Sequence, residues 1–214
     1  ALADRGLVVA NFSYRLSGEA PFPAAIHDCK AAVRWLRAHA GEYDLDPVRI
    51  GAIGLSAGGH LVALLATSGG LETLEGTGGP SGVSSTIQAA VAMGARTDLL
   101  AEELLERTSN TQQGEIWRRF LGGPLAERRP TYQLASPLHH LDRNDPPIAF
   151  LAGSRDGEHT RAATMRARMA ELGLPAHLRA IEGAPHAFLG RQDWFDEAVD
   201  HAAAFFTIHL KATP

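Results

Sequence analysis

A single cysteine, Cys29, in 214 residues excludes an intramolecular disulfide and leaves no cysteine cluster for zinc. Cys29 falls in an apolar helical pattern with Ile26, Val33 and Leu36, which marks it as a small buried side chain rather than a catalytic thiol. No run of about 18 apolar residues occurs, so no membrane span is implied. Lys and Arg form no cluster and the formal net charge is only -4. A nucleic-acid partner would require a basic stripe, so that class is set aside. Internal repeats and low-complexity tracts are also missing. The opening residues Ala1 to Gly6 carry no initiator Met, no charged n-region and no apolar h-region. They read as the end of a helix stopped by Gly6.

What is present is the composition of one globular domain with a sizeable core, at 45% hydrophobic and 21% charged residues. Leu7 to Phe12, Arg49 to Gly54, Gln88 to Met93, Pro147 to Gly153 and Ala176 to Ile181 are short apolar runs that predict five strands. Helical spacing between Pro23 and Ala40, Gly58 and Ala66, Thr160 and Leu172, and Trp194 and Leu210 predicts helices in the intervals. In the third of these, Met165, Met169 and Leu172 form a stripe that faces a core. Residues 68 to 84 are rich in Gly and Ser and read as an irregular loop. Residues from about 98 to 145 read as an insertion, either a cap over a site or a decorated crossover. Strands alternating with helices give the fold class α/β, with a mostly parallel sheet covered on both faces.

The chemistry gathers at Gly54-Leu55-Ser56-Ala57-Gly58, set between an expected strand and an expected helix. That context makes Gly-x-Ser-x-Gly a nucleophile elbow: a strained turn lifts the serine hydroxyl above the sheet. The following amide, that of Ala57, opens a helix where it can hold an oxyanion. The competing reading is a phosphate-binding turn, which lacks a Walker lysine and the dinucleotide spacing.

Serine needs a histidine base oriented by a carboxylate, and this fold orders them Ser, acid, His. Among ten histidines, His186 follows the last strand and precedes the closing helix, where the base belongs. His139 and His140 are its main rivals. His27, His39, His177, His201 and His209 fall within helices or a strand. Asp156, just beyond the strand ending at Gly153, is the candidate acid, with adjacent Glu158 as its substitute. Asp142 and Asp145 precede that strand and fall at the wrong end of the sheet. As a bland alternative, Asp156 would cap the next helix.

Tyr14-Arg15-Leu16, Phe22-Pro23-Ala24-Ala25, Ala32-Val33-Arg34-Trp35-Leu36, Asp46-Pro47-x-Arg49-Ile50-Gly51 and Gly54-x-Ser56-Ala57-Gly58-Gly59-His60-Leu61 occur in this order. Further on come Thr67-Ser68-Gly69-Gly70, Leu121-Gly122-Gly123-Pro124, Ala135-Ser136-Pro137 and Asp145-Pro146-Pro147. Together they resemble the esterase/lipase branch of the α/β-hydrolases, and most closely the BD-FAE group, named for ferulic-esterase-like enzymes. The resemblance implies an α/β-hydrolase fold and hydrolysis of acyl esters, small-molecule or carbohydrate-linked, through Ser56, Asp156 and His186. It implies no metal and no organic cofactor. Acetyl or feruloyl esters of carbohydrate follow from the resemblance alone.

Three features depart from the group. The strand before the acid ends Ala152-Gly153 where His-Gly is usual, and Gly157-Glu158-His159-Thr160 stands where a Val-Pro is usual. No His-Gly-Gly-Gly-like loop precedes Leu7, and the group's first three strands are missing with it. The third of those would lie between the strand at Leu7 and the one at Ile50. The expectation is that residues 1–214 form the C-terminal portion of one α/β-hydrolase domain, lacking part of its oxyanion hole. Other functions compatible with the residues are an arylformamidase or peptidase of the same fold, and a non-catalytic hydrolase-fold binding module.

Overall fold

The structure, a computed structural model, describes residues 1–101, 112–157 and 162–210. Four parallel strands, β1 (Gly51–Leu55), β2 (Ala89–Met93), β3 (Ile148–Gly153) and β4 (Ala176–Ile181), stand in that order across one sheet. Ile53 is level with Val91, Val91 with Ala149, and Phe150 with Leu178. The helices are α1 (Ala24–Ala38), α2 (Ala57–Thr67), α3 (Glu72–Glu75), α4 (Gln112–Leu121), α5 (Leu125–Leu134), α6 (Ala163–Glu171) and α7 (Gln192–Leu210).

Alternation along the central strands sorts their side chains between two cores. Ala90, Ala92, Ile148 and Phe150 face α1, α2 and α6, where they join Ile26, Leu64, Met165 and Met169. Ala89, Val91, Met93, Ala149 and Leu151 face α7 and pack with Ala198, Ala202, Phe205 and Phe206. A strand covered on both faces needs apolar residues at every position, which accounts for the unbroken runs AAVAM and IAFLAG. The α/β reading, a parallel sheet covered on both faces, holds, and Met165 and Met169 are fully buried as their spacing required.

Two expectations change. Leu7 to Phe12 is not a strand: it runs without ladder partners, and Val8 and Val9 are 67% and 51% exposed. Local propensity makes a segment extended, but a strand also requires a hydrogen-bonded neighbour. A groove of about 490 Å³ lies between this segment and the outer edge of β1, lined by Leu7, Val9, Phe12, Ile53, Leu65 and Phe206 among others. The 68–84 loop contains α3, held by a buried ion cluster. Lys30 is wholly buried on α1, and its Nζ donates to Glu75 Oε1 at 2.6 Å and to the Ser68 carbonyl. Arg34 Nη1 donates to Glu75 Oε2 at 2.8 Å, and Ser85 Oγ donates to the same carboxylate. The expected insertion contains α4 and α5, and its residues 102–111 lie outside the described residues. So do the first residues of the helix expected from Thr160.

Candidate active site

Ser56, Ala57, Asp156 and His186 lie beyond the carboxyl ends of the strands, where parallel sheets build their sites. Ser56 joins β1 to α2 with φ 59° and ψ -115°, a conformation L-residues rarely adopt. The turn is held by the Ser56 N–H donating to the Met93 carbonyl at 2.8 Å and by the His60 N–H donating to the Ser56 carbonyl at 2.9 Å. Glycine is required at 54, because a β-carbon there would lie 2.6 Å from the Gly58 carbonyl. The amide of Ala57 stands at the start of α2, where the first turn leaves N–H groups without intrahelical acceptors.

The loops after β3 and β4 are tied to each other. Ser154 N–H donates to the Ile181 carbonyl at 2.9 Å and Arg155 N–H to the Ala184 carbonyl at 3.0 Å. Gly183 N–H in turn donates to Ser154 Oγ at 2.8 Å. This lacing sets Asp156 against His186. The His186 Nδ1–H donates to Asp156 Oδ2 at 2.6 Å. That bond fixes the tautomer, leaving Nε2 to accept from the Ser56 hydroxyl at 2.8 Å. The structure thus brings Ser56, Asp156 and His186, separated by up to 130 residues of chain, into one hydrogen-bonded line.

The rivals are occupied elsewhere. His139 lies 3.5 Å from Asp98, and His140 Nε2 donates to the Leu134 carbonyl at 2.8 Å. Asp145 accepts from the Asp142 amide before β3, at the opposite end of the sheet, where burial pushes its carboxyl up to about 6. Glu158 lies outside the described residues. Cys29 is buried and its thiol is pushed up to about 12 by desolvation, far from a reactive thiolate. Among the described residues no three metal-ligating side chains gather, and no helix is long and apolar enough to cross a membrane.

Ser56, Ala57 and His186 open into a cavity of about 600 Å³ whose walls include Tyr14, Leu16, His60, Arg96, Trp117 and Phe120. The guanidinium of Arg96 lies 6.0 Å from the centre of the Trp117 ring. These wall residues come from four separate segments of the chain. His60 is 3% exposed, and burial lowers its imidazole to about 4. The ring is therefore neutral, and its Nδ1–H donates to the Arg96 carbonyl at 2.9 Å.

The family model of BD-FAE matches residues 1–162. The chain belongs to the BD-FAE family. Among curated relatives, Esterase LipC of Mycobacterium tuberculosis is 29% identical over 214 residues, covering 96% of this chain and 51% of its own. The probable carboxylic ester hydrolase LipM of the same organism is 30% identical over 155 residues, covering 72% of this chain and 35% of its own. The chain thus spans about half, or less, of the length of these relatives. Of solved structures, a truncated carbohydrate esterase from gut microbiota superposes with TM-score 0.83 at 25% identity, covering 96% of this chain and 76% of that one. A thermophilic esterase of Thermogutta terrifontis, bound to propionate, superposes with TM-score 0.74 at 27% identity, covering 94% and 72%.

Proposed function

We propose that this BD-FAE chain carries the nucleophile, acid and base of a serine carboxylic ester hydrolase acting on short acyl esters, carbohydrate-linked ones among them. The observation that carries the reading is the unbroken line from Ser56 Oγ through His186 to Asp156, at 2.8 and 2.6 Å. Ser56 attacks the ester carbonyl as His186 Nε2 takes the hydroxyl proton, and Asp156 stabilises the imidazolium. His186 then returns the proton to the leaving alcohol. Water, deprotonated by the same nitrogen, releases the acid from Ser56.

The tetrahedral oxyanion is held by the Ala57 amide at the start of α2. Removing one such donor typically slows turnover by about 10²–10³-fold, so a second donor belongs beside it. The open groove along β1 supports reading residues 1–214 as the C-terminal portion of one domain, with a further strand seated there and a second donor on its loop. The carbohydrate esterase neighbour supports an acyl group borne on a sugar as substrate. Side-by-side rates on p-nitrophenyl acetate, an acetylated xylo-oligosaccharide, an aryl formamide and a peptide test the reaction class. Ester cleavage that disappears in Ser56→Ala is expected, and preferential amide or formamide cleavage would reject the ester assignment.

A further inference from the structure

One short segment touches both Ser56 and His186. The Met93 carbonyl at the end of β2 accepts the Ser56 N–H at 2.8 Å. Gly94 follows with φ 55°, a left-handed conformation that favours glycine. Its backbone lies against the His186 imidazole: a β-carbon at 94 would stand 3.1 Å from Cε1 and 3.3 Å from Nδ1. The Gly94 N–H donates to the Leu151 carbonyl at 2.8 Å, which ties the segment to β3. His60 ties it to α2, its Nδ1–H donating to the Arg96 carbonyl at 2.9 Å. Gly59 brings α2 close enough for this, since a β-carbon there would stand 2.3 Å from the Met93 carbonyl oxygen.

The rest of the His60 ring gains little from being an imidazole. It is 3% exposed, it packs edge-on against Trp117 and Phe120, and its Nε2 is buried with no hydrogen-bond partner. A buried nitrogen without a partner destabilises a fold, and an apolar side chain would fill the same place without it. What an apolar side chain lacks is the Nδ1–H. We propose that His60 is a positioning residue: through the Arg96 carbonyl it holds residues 93–96, and with them the spacing between Ser56 and His186. The proposal rests on the ester hydrolase reading of the site. Without that donor residues 94–96 relax, Gly94 withdraws from the imidazole, and His186 tilts away from the Ser56 hydroxyl. The loss falls on proton transfer, and so on kcat rather than KM. Misplacement by about 1 Å costs on the order of 10²-fold. The bond to Leu151 keeps the segment from moving so far, and about tenfold is expected.

The test compares His60→Leu with His60→Asn in the full-length protein. The two side chains have nearly the same shape, but Asn can place an amide N–H where the Nδ1–H stood. In His60→Leu, kcat on p-nitrophenyl acetate is expected to fall about tenfold with KM within about twofold of wild type. His60→Asn is expected to recover kcat to within about threefold. The downfield ¹H resonance of the His186 Nδ1–H, read without substrate, is expected to move in His60→Leu and to return in His60→Asn. A purely structural role predicts the opposite order, because Leu removes the unpartnered nitrogen whereas Asn buries an amide. A kcat for His60→Leu within about twofold of wild type, an unmoved resonance in that variant, or an Asn variant as slow as Leu would overturn the proposal. Where His60→Leu does not fold, His60→Asn decides alone: a retained rate and resonance support the proposal, and a tenfold loss overturns it. Failure of the hydrolase reading shows separately, as unmutated protein that neither turns over the ester nor takes a fluorophosphonate on Ser56.

Discussion

Gly153→Ala puts the lacing of the two loops that carry Asp156 and His186 under direct strain. A β-carbon at 153 would lie 2.2 Å from the Ala184 carbonyl oxygen and 2.5 Å from that of Pro185, where ordinary contact begins at 3.4 Å. Both partners are backbone atoms, so no side chain can swing aside, and the 184–186 loop must retreat by about 1 Å. The Arg155 N–H to Ala184 bond at 3.0 Å stretches with it, and His186 is carried away from Ser56. Misplacing a catalytic group by about 1 Å costs on the order of 10²-fold in rate. The overpacking costs about 1–3 kcal/mol of stability, a fall of about 2–12 °C in Tm for a chain of this size. Steady-state hydrolysis of p-nitrophenyl acetate, the rate of fluorophosphonate labelling and a thermal melt measure all three. Gly190→Ala, four residues past His186 with open space around its added carbon, is the control and is expected to leave them unchanged. A Gly153→Ala protein with kcat within threefold of wild type would refute the reasoning that this approach positions the base.

Asp156→Asn removes the carboxylate that fixes the His186 tautomer, and kcat is expected to fall by about 10⁴-fold; a loss under tenfold would assign the orienting role elsewhere. Glu75→Ala strands the wholly buried Lys30 beside Ser68, at about 3–5 kcal/mol in urea unfolding. Lys30→Met, which leaves Glu75 held by Arg34 and Ser85, is expected to lose less than Glu75→Ala; the reverse order would show that Glu75 is not the counter-charge. His60 titrates near 4 when folded and near 6.5 when unfolded. Its contribution is therefore complete above pH 6.5 and is lost as pH falls from 6.5 to 4, by up to about 3 kcal/mol. His60→Phe is expected to flatten that part of the stability profile, and an unchanged slope would place the titration on another group.

The legible parts of this chain are those fixed by local pattern. Gly54-x-Ser56-x-Gly58 could be read because strand, turn and helix follow one another within about a dozen residues. The fixed order of acid and base then picked Asp156 and His186 from many carboxylates and ten histidines. β2 and β3 announced themselves as continuous apolar runs because both their faces are covered. Leu7 to Phe12 carries the same local signal, yet its ladder depends on a partner that local pattern does not specify. The Lys30–Glu75 contact spans 45 residues, and a charge on α1 gives no sign of which distant carboxylate will meet it. The cavity wall was illegible for the same reason. Tyr14, His60, Arg96 and Trp117 converge only through the sheet, and none has a spacing that announces a pocket.

The account turns on Ser56 being an activated nucleophile. Incubation with a fluorophosphonate, followed by intact-mass and peptide mass spectrometry, tests this without assuming any substrate. A single adduct on Ser56, absent in Ser56→Ala and strongly slowed in His186→Ala, is the predicted result. An unlabelled Ser56, or an adduct that persists on the Ser56→Ala chain at the same rate, would contradict it.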